Sequence, residues 1–311
     1  MGDRAISPVR YLVTGAAGNL ARQLVEQLRS QGHEVHALDL QAAEGVEAGD
    51  VSDRAAMQAM LQRHRPQRLL HMASMLSRSS EADPERAWEV NATASVHLMQ
   101  DAIDLGVEQF FFPSTNATYA GSITDPMPED EEQWPSLVYG VTKVAVERMG
   151  VYLHHKHGFD FRAVRLPIVL SPYAPSGAAT AYASHAFVAA AKGEEFVFPV
   201  SEEVGASSIY VRDVIEGILR LVDAPADGLS RRIYNLHSFA PTAAEVAKAI
   251  VGRVPDFRYR FEPEQLAMDM IVPLPSVIVD WSARKDWQWE PRFNMASTAA
   301  DFLQSLGVPS R

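Results

Sequence analysis

The stretch VRYLVTGAAGNLA, residues 9–21, decides how the rest of the chain is read. Its first half carries a short apolar run, Tyr11-Leu12-Val13, of the kind a strand buried on both faces requires. Its second half turns through Gly15 and Gly18 and enters the helical pattern NLARQLVEQLRSQG. Strand, glycine turn and helix, in that order, are the context in which a Gly-x-x-Gly-x-x-Ala turn cradles phosphate. Gly15 allows the sharp bend, and Gly18 lets backbone amides approach a pyrophosphate at the helix N-terminus. Ala21 is small enough for the helix to pack closely on the strand. A tight strand–helix connection with no ligand would carry the same pattern, so residues further along must decide between them.

Working outward, short apolar runs alternate with longer helical patterns. HEVHALDL (33–40) reads as a second strand, followed by a helix around 53–64, and QRLLHMA (67–73) as a third. A long helix around 84–105 leads into EQFFFPST (108–115), and another at about 138–157 precedes FDFRAVRLP (159–167). This alternation is the sign of an α/β fold with a doubly wound parallel sheet, the Rossmann type. Beyond Pro167 the rhythm breaks: SPYAPSGAAT (171–180) is a loop signal. Helices at about 180–192, 210–222, 241–252 and 294–306 then mix with short strands. The expected organisation is a nucleotide-binding domain over 1–170 and a smaller, mainly substrate-binding C-terminal lobe over 171–311, with 206–237 returning to the first sheet.

Asp39 closes the second strand, where an acid can hold the ribose hydroxyls of NAD. The residues after it, LQAAE, supply no Arg or Lys for a 2′-phosphate, which favours NAD over NADP. In GDVSD (49–53), Asp50 can accept the adenine amino group with Val51 beneath the ring, while Asp53 makes a good helix N-cap.

VYGVTK (138–143) places Tyr139 and Lys143 four apart, on one helix face. Its companion is PSTNATYA (113–120), at a strand's carboxyl end, where doubly wound sheets bind ligands. Ser114 and Thr115 are therefore expected to face the nicotinamide. A free phenol titrates near pH 10, too high for a neutral-pH base, and a neighbouring ammonium stabilises its anion. Lys143 can also hold the nicotinamide ribose. With the glycine turn and Asp39 in the same chain, the Tyr139–Lys143 pair reads as catalytic.

On the glycine turn, the Ser/Thr strand end and Tyr-x-x-x-Lys together, the chain resembles the extended short-chain dehydrogenase/reductase superfamily over nearly its whole length. A narrower resemblance, to the short-chain L-threonine 3-dehydrogenases, rests on HMASMLS (71–77), DPERAWEVN (83–91), VYGVTKVAVE, GFDFRAVRLP, DAPADGLSRRIYNL (223–236) and SARKDWQWEPRF (282–293). The resemblance implies Thr115 in the catalytic Ser/Thr role, Tyr139 as base and Lys143 as its tuner. It places Asn91 in a structural proton relay and Ser77, Ser114 and Thr180 near the substrate. Further cofactor contacts are implied for Ala17, Asn19, Leu20, Leu40, Met72, Ala73, Ser74, Pro113 and Pro167, and a homodimer is implied through the helices near 84–105 and 138–157. The substrate lobe departs from the family. SGAATAYA (176–183) stands where a GGTTDYA-like stretch is usual, so Ala179 and Ala181 replace a hydroxyl and a carboxylate. Leu274 takes the place of a tryptophan, and RLPI (165–168) stands for RYPG.

Bulk properties narrow the classes. A formal net charge of -11 over 311 residues disfavours nucleic acid, whose phosphates need a basic surface. The absence of cysteine removes disulfides and thiolate chemistry and suits a reducing, cytoplasmic setting. The N-terminus shows no signal peptide, and no run approaches about 18 consecutive apolar residues, so no membrane partner is expected and the Asn91 and Asn116 triplets are not glycan sites. HHKH (154–157) ends a helix, where cations suit the macrodipole, and no metal is expected there. WQW (287–289) and the methionines at 57–60 and 268–270 read as packing, and PEDEEQW (128–134) as a solvated acidic loop. The expected function is NAD-dependent oxidation of a secondary alcohol in a small β-hydroxy (amino) acid. The alternatives are a nucleotide-sugar epimerase, dehydratase or sugar-acid dehydrogenase, for which Arg212 and Arg284 could bind a diphosphate, and an NAD-binding sensor without turnover.

Overall fold

The computed structural model describes residues 7–119, 124–175 and 179–309. The strands are β1 (Arg10–Thr14), β2 (Glu34–Asp39), β3 (Glu47–Ala48), β4 (Arg68–His71), β5 (Gln109–Thr115), β6 (Asp160–Leu166), β7 (Ile168–Leu170), β8 (Phe196–Phe198), β9 (Ser208–Tyr210), β10 (Ile233–Asn235) and β11 (Tyr259–Phe261). Seven of them form the main sheet in the order β10-β6-β5-β4-β1-β2-β3. The β1–β2, β1–β4, β2–β3 and β4–β5 pairs are parallel. β1 therefore lies between the strands that follow it on either side, which is the switch point where doubly wound sheets open a crevice.

The chain divides into two compact units: Met1–Met75, Asp83–Pro113 and Thr142–Ala163 form one, and Leu76–Ala82, Ser114–Val141 and Val164–Arg311 the other. In the first, helix α1 (Asn19–Ser30) buries Ala21, Leu24, Val25 and Leu28, a 3.6-residue stripe. Leu12, Val13, Leu69, Leu70, Phe110 and Phe111 are buried completely, as interior strands of a parallel sheet require. Pro113 cannot donate to a ladder, and the β4–β5 register ends before it, at Phe111. Helix α2 (Arg54–His64) starts on an Asp53 side-chain cap to Ala56 N, as its sequence suggests. The long helix expected over 84–105 is interrupted. It runs as α4 (Pro84–Ala87), a π-helical turn (Trp88–Thr93) and α5 (Ala94–Asp104), following the short α3 (Ser77–Ala82) of the second unit.

Helix α6 (Val138–His157) crosses from the second unit into the first. In the second unit α7 (Tyr182–Lys192), α8 (Val211–Asp223), α9 (Ala243–Val251), α10 (Gln265–Ile271), α11 (Trp281–Trp287) and α12 (Met295–Ser305) accompany two small parallel pairs, β7–β9 and β8–β11. Phe187 and Phe302 stack at 4.7 Å, and capping boxes at Thr242 and Asn294 start α9 and α12. Trp287 and Trp289 are buried, in keeping with a packing role, and Trp289 Nε1 donates to Asp280. The acidic loop is not simply solvated. Asp130 pairs with Arg231 at 2.6 Å, and Glu129 accepts the Ser282 amide and hydroxyl, so carboxylates expected to face water anchor the loop. Among the described residues no helix is long and apolar enough to cross a membrane.

Candidate active site

The glycine turn has the shape a dinucleotide needs. Gly15 sits at φ 65°, and a Cβ there would come within 2.6 Å of Ala73 N and 2.7 Å of Ala73 Cα, so only glycine fits. Gly18 caps α1 without a side-chain hydrogen bond, and the first turn holds no acid, which leaves amides and the positive end of the helix dipole for a pyrophosphate. Asp39 Oδ2 accepts the Ala17 amide at 3.0 Å and Oδ1 the Leu40 amide at 2.7 Å. Its carboxylate is thereby fixed beside the turn with lone pairs left for ribose hydroxyls. Ala17, Gly18 and Leu40 are exposed; Asn19 and Leu20 are half-buried. Asp50 accepts from Ser52 through Oδ1 and from Arg86 through Oδ2. Burial opposes its charge, but these hydrogen bonds outweigh it and hold the carboxyl below its ordinary range. Val51 beside it is buried. These residues fit NAD.

Beyond β4, Met72, Ala73 and Ser74 are half-buried. Asn91, inside the π-helical turn, clamps Met75 with both ends of its amide: Oδ1 accepts Met75 N at 2.7 Å and Nδ2 donates to Met75 O at 3.0 Å. Ser74 Oγ also donates to Asn91 Oδ1. A π-turn shifts the helix face by one residue and recurs at functional positions. One residue the sequence reading passed over is His71, completely buried between Thr14 and Ser95. Its Nδ1 lies 2.8 Å from Thr14 Oγ1 and its Nε2 2.8 Å from Ser95 Oγ, which donates on to Asn91 O. The ring is thus neutral and carries its hydrogen on Nε2. Burial first, and the charge of Lys143 second, push it down to about 3.

Lys143 is 2% exposed, with Nζ donating to Pro113 O at 2.9 Å and lying 4.4 Å from the Phe112 ring centroid. Burial pushes it down to about 7, opposed by the carboxylate of Glu147. Glu147 was missed although its spacing is legible. It follows Lys143 by four residues on the same helix and is fully buried.

In the second unit Ser114 is buried and Thr115 half-buried at the end of β5. Thr115 Oγ1 accepts the Ala117 amide at 3.1 Å, capping a short turn over Asn116–Thr118. Tyr139 lies half-buried in the first turn of α6, and burial holds its phenol above the ordinary value. Glu81 accepts the Val138 amide at 2.6 Å and so caps the helix. Gly140 brings the two segments together. A Cβ there would overlap the Ala117 carbonyl oxygen and come within 2.7 Å of Pro135 Cβ. Ser77 and Thr180 are half-buried, Pro167 is buried, and Ala181 and Leu274 are buried apolar positions. Ser176, Gly177 and Ala178 of the departing stretch, and the Ala179 side chain, lie outside what is described.

The chain matches the NAD dependent epimerase/dehydratase family over residues 11–236, and it belongs to that family. NAD is its cofactor. The mitochondrial L-threonine 3-dehydrogenase of Sus scrofa is 28% identical, over 97% of this chain and 84% of that protein. The solved GalE-like L-threonine dehydrogenase from Cupriavidus necator, in its holo form, has a TM-score of 0.91 at 30% identity, covering 96% of this chain and 99% of that one. A monomeric L-threonine 3-dehydrogenase of metagenomic origin, in its apo form, has a TM-score of 0.90 at 30% identity, covering 95% and 98%.

Proposed function

We propose that this NAD-dependent dehydrogenase oxidises the 3-hydroxyl of L-threonine or a closely related β-hydroxy acid. The observation that carries the reading is the approach of α6 to the end of β5 through Gly140, which sets Tyr139 and Thr115 on adjoining segments. Bound NAD supplies the hydride acceptor and a positively charged ring. The proton belongs to the chain. Thr115 orients the substrate hydroxyl, and Tyr139 as phenolate accepts its proton. Burial makes this phenol a weaker acid than free tyrosine, so its anion needs positive charge nearby: the cofactor ring supplies it, and Lys143, four residues along the helix, adds to it in its protonated form. Lys143 also holds the nicotinamide ribose. The product of threonine oxidation is a 2-amino-3-keto acid, which loses carbon dioxide readily.

The cofactor contacts from Gly15 to Pro167 belong to the same proposal. So do a homodimer through α5 and α6, supported by exposed Trp88, Leu105 and Tyr152 in or beside those helices, and a cytoplasmic location, supported by the cysteine-free sequence. Sedimentation of the purified protein as a monomer would overturn the first, and fractionation with an organelle or membrane pellet the second. Arg212 and Arg284 give no support to a nucleotide-sugar diphosphate site, because each is paired, with Asp301 and Asp280.

The deciding assay follows NADH absorbance with L-threonine, allo-threonine, 3-hydroxy acids and nucleotide sugars. NADH formed only with β-hydroxy acids supports the proposal; sugar interconversion without net NADH overturns it. Tyr139→Phe should abolish turnover and leave NAD affinity within about twofold, since the phenolic oxygen contributes mainly to proton transfer. Turnover retained by that variant would remove Tyr139 as base.

A further inference from the structure

Asp50 is held in a closed ring of hydrogen bonds with Ser52 and Arg86. Asp50 Oδ1 accepts the Ser52 amide at 2.9 Å and the Ser52 hydroxyl at 2.7 Å. Asp50 Oδ2 accepts Arg86 Nη2 at 2.8 Å, and Arg86 Nη1 donates back to Ser52 Oγ at 2.9 Å. The same Nη1 donates to Glu89 at 2.7 Å, which steadies the guanidinium from its far side. A carboxylate offers about four acceptor positions, two on each oxygen. Three are filled, so the open one is on Oδ2, the oxygen that Arg86 grips.

The place of this ring in the fold gives the open position a meaning. Gly49 N donates to Asp39 O at 2.8 Å, and Ala48 of β3 pairs with Asp39 of β2. Asp50 therefore follows directly from the strand that flanks the ribose-side acid. Asp50 keeps 35% of its side chain exposed although Val51 beside it is buried. An anchored backbone, a carboxylate locked in one rotamer and a single unused acceptor position make a receiver for one N–H donor. A guanidinium can build it because its planar fork binds two acceptors at fixed spacing, which an ammonium cannot do.

We propose that Arg86 is a positioning residue for purine recognition, holding Asp50 so that Oδ2 receives the exocyclic amino group of the adenine of NAD. The inference rests on the assignment of Asp50 to the adenine. Arg86 acts through Asp50 and makes no contact with the cofactor itself.

The test is calorimetric titration of the apo protein with NAD and with nicotinamide hypoxanthine dinucleotide, whose purine carries a 6-oxo group in place of the amino group. The wild type should bind NAD about tenfold tighter or more, the worth of a hydrogen bond to a charged acceptor. Asp50→Asn should lose or invert that preference, because its amide can donate to the 6-oxo group. Arg86→Gln should bring NAD affinity down toward that of the analogue while analogue affinity moves less than about twofold. Arg86→Lys, which keeps the charge without the fork, should lose the preference as well. Ser52→Ala, which removes one strut and leaves the guanidinium, should narrow it part of the way. Equal weakening of both dinucleotides in Arg86→Gln would make the residue a general electrostatic contributor and overturn the proposal. So would unchanged binding, or full preference in Arg86→Lys. Two results with the wild type alone separate the underlying assignments: no NAD binding removes the cofactor reading, and equal binding of the two dinucleotides removes Asp50 from the adenine.

Discussion

Replacing Lys143 with methionine should change how stability depends on pH. The ammonium is 2% exposed, donates to the Pro113 carbonyl and lies over the Phe112 ring, and its pKa is pushed down to about 7 by burial. In the unfolded chain the same group keeps its proton up to about pH 10.4. Below pH 7 both states hold the proton and the cost of burying the charge is fully present. Between about 7 and 10.4 the unfolded state binds one more proton than the folded state, so the free energy of unfolding rises with pH, by about 1.4 kcal/mol per unit. Allowing for partial titration at the lower end, the wild type gains about 2 kcal/mol from this group between pH 7 and 9. Lys143→Met gains none of it. The assay is urea denaturation of both proteins at pH 7, 8 and 9 without cofactor, compared by slope. Only the slope counts, because Glu147 loses its cationic neighbour in the variant and shifts the offset. Parallel pH dependences would show that Lys143 does not titrate in this range and would refute the burial argument. The variant should also be inactive, which makes the site a place where function opposes stability.

Two further outcomes follow from close packing and from a buried neutral ring. Gly140→Ala should cost about 1–3 kcal/mol of stability by overpacking against Ala117 and Pro135. It should also lower kcat while NAD affinity, measured by titration, stays near wild type; an unchanged kcat would show that this approach does not align Tyr139. His71→Leu removes a partner from Thr14 and Ser95 and should cost about 1–3 kcal/mol. The wild type should lose stability as pH falls from about 6.5 toward 3, because the unfolded chain takes up a proton that folded His71 refuses, and the variant should lack that part of the slope. Thermal melts at pH 4 and 7 check both.

Much of this site could be read from one dimension because its chemistry is local. The glycine turn, Asp39 at a strand end and the four-residue spacing of Tyr139 and Lys143 all depend on positions within one or two elements, and each lies where the pattern put it. Glu147 was legible in the same way and went unread. Arg86 and His71 were not legible. Ser52 and Asp50, the partners that give Arg86 its place, stand 34 and 36 positions away, and the partners of His71 stand 57 and 24 away. No periodicity carries such separations. The interruption of the helix at Trp88–Thr93 was also invisible, because no residue of WEVNAT marks a π turn and the Asn91 contact with Met75 spans 16 positions.

The order of strands and helices, the glycine turn after β1 and the acid at the end of β2 were determined by the sequence itself, since apolar periodicity and glycine placement act over a few residues. Tertiary structure decided which polar groups lost their water and which partners they received in return. That is why burial pushes the Lys143 ammonium down and keeps His71 uncharged, and why Asp50 keeps one acceptor position open. Desolvation is a property of everything packed around a group, and only the folded chain specifies that surrounding.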